Sequence, residues 1–387
     1  MEPQRSDSAY YHPLVSGLAR LLRGVACNGP MAWRWPTWQQ PIEGNSAVNY
    51  APPRRSEGTL QKRRMPLPWP EDRPFRILSI DGGGICGILP ASVLAELERR
   101  YLDGKSIAGY FDLIAGTSTG GIIALGLASG LTSTDIEKVY IERGSLIFPP
   151  CSWLGRIYRL AVRGHRYLYE REPLQNELMR MFGDSALGEA KTRLCIPAFE
   201  GRYGEPWIYK TPHHPDYRRD RFASMVSVGL ATAAAPTFFE AVPNNGYTMV
   251  DGGLWANNPI MNAVVDALAC FDVDRRQISV LSLGCGETSF KVDTKKAKGG
   301  LVQWRSAITA AMRAQSLNAL GQAYLILGKD HVMRLDAPES PSPIRLDDYR
   351  RARDELPNMA RSLVEGAGRE IERAFLETTA EAFVPSP

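Results

Sequence analysis

One short glycine-flanked segment carries a residue suited to covalent chemistry. Gly116-Thr117-Ser118-Thr119-Gly120 has the pattern G-x-S-x-G, between an apolar run and a stretch with helical spacing. The glycines relieve crowding where the backbone turns sharply from a strand into a helix, and this leaves the serine hydroxyl exposed. We therefore predict that Ser118 is a nucleophile. A serine that only caps the helix is the structural alternative.

A serine nucleophile needs a base, and histidine is the usual one. The five histidines, at positions 12, 165, 213, 214 and 331, do not lie in glycine turns at strand ends. Asp251 does, because it ends the β-rich run YTMVDGG and is released by Gly252 and Gly253. We predict that Asp251 is the base, with an Asx turn or helix cap as its structural alternative. A triad of Ser118, Asp251 and His331 stays open, since the order Ser, Asp, His is permitted.

A second glycine turn, Asp81–Gly87, reads DGGGICG and lies between a strand-like and a helix-like run. It contains the dinucleotide fingerprint G-x-G-x-x-G, which is weak without an acidic residue at the end of the next strand. Consecutive glycines also let several backbone N–H groups converge on one small anion, as an oxyanion hole requires. A tight turn without chemistry is the third interpretation.

The elements that would position these turns alternate between strand and helix. This order predicts an α/β fold, with a mostly parallel central sheet and helices on both faces. The predicted strands cover FRILSI, YFDLIAG, RLCIPAFE, YTMVDGG and QISVLSLG. The predicted helices cover LPASVLAELERRY, GGIIALGLASG, residues 301–327 and residues 359–377.

Composition limits the class of protein. The 387 residues are 44% hydrophobic and 23% charged, which is typical of a globular chain. Residues 1–70 hold ten of the 28 prolines and carry an excess of basic side chains. We expect an irregular N-terminal arm at 1–70, a catalytic core at 71–290 and a helical C-terminal part, 291–387, packed on the core. The six scattered cysteines indicate no disulfide framework, and the chain has no metal-binding motif, so no metal is expected.

The three segments together resemble those of patatin-like phospholipases, in family order and over about Phe75 to Gly286. The resemblance implies the three-layer patatin fold and a Ser118–Asp251 dyad. It also implies an oxyanion hole made by the amides of Gly82, Gly83 and Gly84, with Gly87, Gly116, Gly120, Gly252 and Gly253 supporting the motifs. Family loops often carry arginine where this chain has Cys86, and the departure bears on rate or headgroup preference. Cys86 could also be an alternative nucleophile or a buried thiol of the loop.

A narrower resemblance is to the bacterial patatin-like effectors of CBASS anti-phage systems. It rests on FDLIAGTSTGGIIALGL, YKTPHHPDYRRD, ATAAAPTFFEA and DGGLWANNP. It implies a phospholipase that is activated by a cyclic dinucleotide such as cGAMP and degrades the membrane of its own cell. The expected partners are then membrane phospholipid, the cyclic dinucleotide and a second copy of the chain, with no nucleic-acid polymer. The expected place is the cytoplasm and, when active, the inner membrane.

Two basic segments and three alternative functions stay open. Cys151–Tyr169 could form a lipid-facing lid, a nucleotide pocket or a solvated helix, and Lys210 to Arg221 could form a phosphate site or plain surface. A constitutive esterase or lipase is the main alternative to a nucleotide-activated enzyme. A nucleotide sensor without catalysis and an inactive scaffold are the two alternatives that are not enzymes.

Overall fold

The computed structural model describes residues 52–54, 64–150, 167–286, 307–340 and 342–386. Most of the predicted arm and most of Cys151–Tyr169 lie outside these residues. Eight strands form one mixed, mostly parallel sheet in the order β5-β6-β3-β2-β1-β7-β8, with β4 on the other edge of β3. The strands are β1 (Phe75–Ile80), β2 (Leu113–Gly116), β3 (Arg193–Glu200), β4 (Glu205–Lys210), β5 (Val242–Asn244), β6 (Tyr247–Asp251), β7 (Ile278–Leu283) and β8 (Val332–Leu335).

Helices cover both faces of the sheet. Along β1, Leu78 and Ile80 pack into one apolar core while Phe75 and Ile77 pack into another, so the strand is buried on both sides. The described helices are α1 (Ile88–Tyr101), α2 (Thr119–Ser129), α3 (Ser133–Lys138), α4 (Gly144–Ile147), α5 (Glu172–Phe182), α6 (Met225–Thr232), α7 (Gly253–Ala256), α8 (Ile260–Cys270), α9 (Ala307–Leu327) and α10 (Tyr349–Ile371). The predicted three-layer α/β architecture is confirmed.

The pairing of β3 decides what meets at the carboxyl edge of the sheet. Its first three residues pair with β2 and its last three pair with β6, while β4 occupies the opposite edge of the strand. Strands β2 and β6 must therefore lie on the same side of β3. Because β2 is parallel and β6 antiparallel to β3, their carboxyl ends face each other head-on.

The predicted strands and helices lie at or near their predicted positions, with differences at the boundaries. The strand predicted over YFDLIAG begins only at Leu113, and residues 301–306 of the predicted helix lie outside the described ranges. The closing helix begins at Tyr349, ten residues before the predicted start at Met359, and it contains Pro357. Asp348 caps it, because its side chain accepts the N–H of Arg351. Within the described ranges, no helix is both long enough and apolar enough to cross a bilayer.

Candidate active site

Ser118 occupies a strained turn between β2 and α2. Its φ of 56° and ψ of −121° lie where side chains other than glycine are rare. The turn is held from both sides, because Ser118 N donates to Thr232 Oγ1 at 2.9 Å and Thr117 Oγ1 donates to Ala256 O at 2.6 Å. The hydroxyl is thus fixed at the carboxyl edge of the sheet, as the G-x-S-x-G pattern predicts.

The glycines on either side of Ser118 are required by close approach. A Cβ on Gly116 would overlap the backbone of Gly120, and a Cβ on Gly120 would overlap the carbonyl of Ile80. The turn can therefore pack against β1 only with hydrogen at these positions. The same steric limit applies to two of the other predicted motif glycines, Gly87 against Thr119 and Gly252 against Pro197.

Asp251 meets Ser118 directly. Ser118 Oγ donates to Asp251 Oδ2 at 2.7 Å, and Asp251 Oδ1 accepts the N–H of Gly253 at 2.7 Å. The head-on arrangement of β2 and β6 explains this contact between residues 133 positions apart. Ser118 is 9% exposed and Asp251 is 5% exposed, so the pair lies at the inner end of a cavity.

Burial makes Asp251 a stronger base than an ordinary carboxylate. Removal from water raises the pKa of Asp251 to about 6, and the hydrogen bonds from Gly253 and Ser118 offset only part of this effect. Such a carboxylate is still ionised at neutral pH, yet it accepts a proton more readily than a solvated one. The Ser118–Asp251 pair can therefore act as a nucleophile and its base.

The cavity above this pair is large and mostly apolar. It has a volume of about 700 Å³. Ser118 and Asp251 share its wall with aliphatic and aromatic side chains, including Ile122, Ile147, Phe148, Leu174, Leu178, Met181, Phe238, Phe239, Leu254 and Met312. A wall of this kind suits a hydrocarbon chain, with the reacting ester placed at the polar end.

The glycine loop supplies donors beside Ser118. Gly83 and Gly84 line the cavity, and no acceptor among the described residues takes either N–H. Gly84 has a φ of +55°, which favours glycine. The prediction for Gly82 is wrong, because its N–H donates to the carbonyl of Asn257 at 3.0 Å and so is not available to an oxyanion.

Two residues that lie near the nucleophile were not among those predicted from the sequence. Thr232, at the end of α6, accepts the N–H of Ser118 and donates to Pro197 O at 2.6 Å. Tyr140 lies in a π-helical turn, contacts Thr119 Oγ1 at 2.5 Å and donates to Thr119 O at 3.1 Å. Thr119 follows the nucleophile and lines the cavity, so Tyr140 fixes the backbone next to the reacting hydroxyl.

The C-terminal part of the chain forms hydrogen bonds with two loops of the candidate site, the glycine loop and the segment that follows Asp251. The carbonyl of Leu346 accepts the N–H of Ile85 at 2.9 Å and lies against Gly84. On α9, Gln315 bonds the backbone of Asn258 and Ser316 accepts from the Asn257 side chain at 3.1 Å. The glycine loop and the segment after Asp251 are thus both attached to residues beyond position 306.

Neither His331 as an alternative base nor Cys86 as an alternative nucleophile fits this geometry. His331 directly precedes β8, which runs parallel to β7 and hence to β1 and β2. Since Ser118 follows β2, the two residues lie at opposite edges of the sheet, and the triad with His331 is wrong. Cys86 is buried, and burial raises the pKa of its thiol to about 12, so it is protonated at neutral pH.

A second buried polar cluster lies on α8 and the loop after β4. Asp266 forms an ion pair with Lys210 and accepts from His213 Nε2 at 2.8 Å and from Tyr217 OH. Lys210 and His213 therefore face inward to a carboxylate, and the phosphate-site interpretation does not hold for these two residues. Although burial opposes ionisation, His213 and Lys210 hold the pKa of Asp266 far below its ordinary value.

The Asp266 cluster also contains a geometric candidate for a metal ion. Donor atoms of His213, Asp266 and Cys270 lie within 4.8 Å of one another. The carboxylate of Asp266 is already bound by the ammonium of Lys210, which a cation would have to displace. The cluster therefore fits an internal ion-pair network better than a metal site.

Comparison with known families agrees with this geometry. Residues 78–264 match the model of the family described as patatin-like phospholipase. The matched part begins within β1 and ends within α8, so it contains the glycine loop, Ser118 and Asp251.

Similar proteins are found in bacteria and in plants. A cGAMP-activated phospholipase of Vibrio cholerae is 41% identical over 199 residues, which cover 48% of this chain and 55% of the relative. A protein of the same name from Escherichia coli is 37% identical, over 55% of this chain and 63% of the relative. Patatin-like protein 2 of Oryza sativa is 33% identical, over 59% of this chain and 65% of the relative. The chain thus spans between half and two thirds of the length of these relatives.

Proposed function

We propose that this chain, whose residues 78–264 match the patatin-like phospholipase family model, is a serine lipid acyl hydrolase of the phospholipase A type. The observation that carries the proposal is the 2.7 Å contact between Ser118 Oγ and Asp251 Oδ2 at the end of an apolar cavity of about 700 Å³. The names of the bacterial relatives support the same substrate class. The protein would be cytoplasmic and would act at the surface of the inner membrane.

In the first half of the reaction, Ser118 attacks the ester carbonyl of a phospholipid. Asp251 Oδ2 accepts the hydroxyl proton as the new bond forms between Oγ and carbon. The N–H groups of Gly83 and Gly84 stabilise the negative oxygen of the tetrahedral intermediate. When the intermediate collapses, the leaving lysolipid oxygen takes the proton from Asp251 and the acyl group remains on Ser118.

In the second half, water replaces the lysolipid. Asp251 accepts a proton from the attacking water, and the same two amides stabilise the second tetrahedral oxygen. The fatty acid leaves, and Ser118 Oγ recovers its proton from Asp251. One carboxylate with a pKa near 6 serves both halves, because it is ionised before each attack and protonated after it.

We further propose that a cyclic dinucleotide of the cGAMP type activates the enzyme in anti-phage defence. The support is that three bacterial relatives, 37–41% identical to this chain, are named cGAMP-activated phospholipase. A constitutive esterase or lipase is the second candidate, favoured by the similarity to plant patatin-like proteins.

Fatty-acid release from mixed phospholipid vesicles tests both proposals. The full chain and the Ser118→Ala variant are compared with and without cyclic GMP-AMP. Release by the unchanged chain only when the nucleotide is present supports an activated phospholipase. Equal release in both conditions supports the constitutive enzyme and overturns cyclic GMP-AMP control. Release by the variant at the unchanged rate overturns the role of Ser118.

A further inference from the structure

Arg334 lies on β8, outside the matched residues 78–264, and its side chain reaches the first residue of the glycine loop. Its two terminal nitrogens donate to Asp81, Nη1 to Oδ1 at 3.1 Å and Nη2 to Oδ2 at 2.8 Å. A bidentate arginine–carboxylate pair of this kind fixes both the distance and the relative orientation of the two side chains. The side chain of Arg334 is 15% exposed and that of Asp81 is 5% exposed, so water screens the pair weakly.

The same guanidinium joins the ends of three neighbouring strands. Nη1 also donates to Ser282 Oγ on β7 at 2.9 Å, and Nη2 donates to Asp336 Oδ2 at 2.6 Å. Asp336 in turn accepts the N–H groups of Gly286 and Ala337, each at 2.8 Å. The segments that follow β1, β7 and β8 are therefore connected through one buried cation.

This network borders the oxyanion donors. Asp81 immediately precedes the glycines, and its own N–H donates to Leu283 O at 2.9 Å. On the far side, Cys285 lies so close to Gly83 that a Cβ there would overlap it. Amide donors stabilise an oxyanion only within about 2.7–3.1 Å of it, and a misplacement of about 1 Å can cost about 100-fold in rate.

We propose that Arg334 is a positioning residue that holds the amides of Gly83 and Gly84 in register with Ser118, which rests on the proposed acyl hydrolase function. Asp81 and Asp336 both accept from Arg334 Nη2. Without the guanidinium, the two carboxylates lose this shared donor and repel each other. Their repulsion displaces the start of the loop. Because the amides act mainly on the charge that develops in the transition state, kcat falls while KM stays nearly constant.

The test compares Arg334→Gln and Arg334→Lys with a matched control at the other end of β1. There, Arg73 Nη2 donates to the buried Asp112 at 2.9 Å, far from the cavity. Arg73→Gln therefore breaks a comparable ion pair without touching the glycine loop. Hydrolysis of p-nitrophenyl butyrate by the full chain is measured across pH, with cyclic GMP-AMP present, together with thermal unfolding.

We expect kcat of Arg334→Gln to fall 10- to 100-fold, with KM within twofold and the midpoint of the pH profile unchanged. Arg334→Lys, which keeps the charge but not the fork, should recover part of the rate. Arg73→Gln should keep kcat within twofold.

Equal kcat in Arg334→Gln and Arg73→Gln overturns the proposal. If Arg334→Gln does not fold, an unchanged kcat in Arg334→Lys overturns it instead. An unchanged chain that neither hydrolyses the ester nor takes a fluorophosphonate label on Ser118 refutes the proposed function itself, and this proposal with it.

Discussion

Two buried aspartates, 15 positions apart, are placed in opposite electrostatic surroundings. Asp251 bonds to Ser118 at the level of Ala198, and within the described part of the chain its carboxylate accepts from one hydroxyl and one amide. Asp266 lies beside Lys210, which pairs with Cys195, three residues further toward the amino edge of the sheet. Burial disfavours the charge on both carboxylates, and at Asp266 the neighbouring His213 and Lys210 reverse that effect.

The difference separates a base from a structural anchor. A carboxylate whose pKa is raised to about 6 gains by accepting a proton, as Asp251 must do twice in the proposed reaction. A carboxylate that a lysine and a histidine hold ionised cannot act as a base at neutral pH, but it connects β4, the following loop and α8. Depth of burial therefore does not identify the catalytic residue, whereas the partners of the buried group do.

The largest expected effect is a loss of activity when Asp251, but not Asp266, is replaced. Asp251→Asn and Ser118→Ala should each reduce fatty-acid release by at least about 10³-fold, because each removes one half of the nucleophile–base pair. Asp266→Asn is the matched control for Asp251→Asn. Ser129, whose hydroxyl donates to Gly126 O at 2.8 Å at the far end of α2, gives the matched control Ser129→Ala. Both controls should keep kcat within a few fold. An equally large loss of activity per folded molecule in Asp266→Asn and Asp251→Asn would contradict the different roles of the two aspartates.

Asp266→Asn and Asp251→Asn should change the free energy of unfolding in opposite directions. Removing Asp266 leaves Lys210 and His213 without their carboxylate, so Asp266→Asn should lower the free energy of unfolding by about 3 kcal/mol. The pKa of Asp251 is raised on folding, so its charge costs the folded state up to about 3 kcal/mol above pH 6. Asp251→Asn should therefore be more stable than the unchanged chain in urea at pH 8.

The stability gain of Asp251→Asn should shrink toward pH 4, where the folded chain already carries a proton on Asp251. A gain that is constant between pH 4 and pH 8 would show that the charge of Asp251 is not its cause. A loss of stability at pH 8 would place Asp251 in the same class as Asp266.

The pH dependence of kcat/KM should reflect the titration of Asp251 and not that of Asp266. Since Asp251 must be ionised to accept the proton of Ser118, kcat/KM should fall about tenfold per pH unit below a midpoint near 6 and be flat above it. The measurement is initial-rate hydrolysis of p-nitrophenyl butyrate between pH 4.5 and 8. Asp266→Asn should keep the same midpoint, and a shift of one unit or more in that variant would link the two groups.

The smallest expected effect concerns two partly buried tyrosines, one beside Ser118 and one beside Asp266. Tyr140→Phe removes the hydrogen bonds to Thr119 beside the nucleophile and should lower kcat a few fold. Tyr217→Phe removes a hydrogen bond to Asp266 and should change thermal stability with kcat unchanged. Equal effects of both variants on kcat would contradict the separation of the two regions.

Local patterns predicted the two turns well. Both β1 with its glycine loop and β2 with Ser118 are strand–turn–helix units, whose signal lies within about 25 residues. Asp251 was identifiable because a strand ended at two glycines. The helix boundary at Tyr349 was missed because Pro357 predicts a break, yet the helix continues through it.

The contacts that complete the site depend on residues far apart in the chain. The amide of Gly82 is occupied by Asn257, 175 positions later, and Arg334 reaches Asp81 across 253 positions. The head-on approach of β2 and β6 follows from β3 pairing with both along one edge, which no periodicity encodes. Sequence patterns located the reacting groups, but not the residues that hold them in place.

Covalent labelling of Ser118 tests the central claim most directly. The full chain and Asp251→Asn are treated with a long-chain fluorophosphonate at pH 8, and the modified peptide is identified by mass spectrometry. The dyad predicts one adduct on Ser118 in the unchanged chain and labelling slower by at least about 10²-fold in Asp251→Asn. An adduct on another residue, or equal labelling in both proteins, would contradict it.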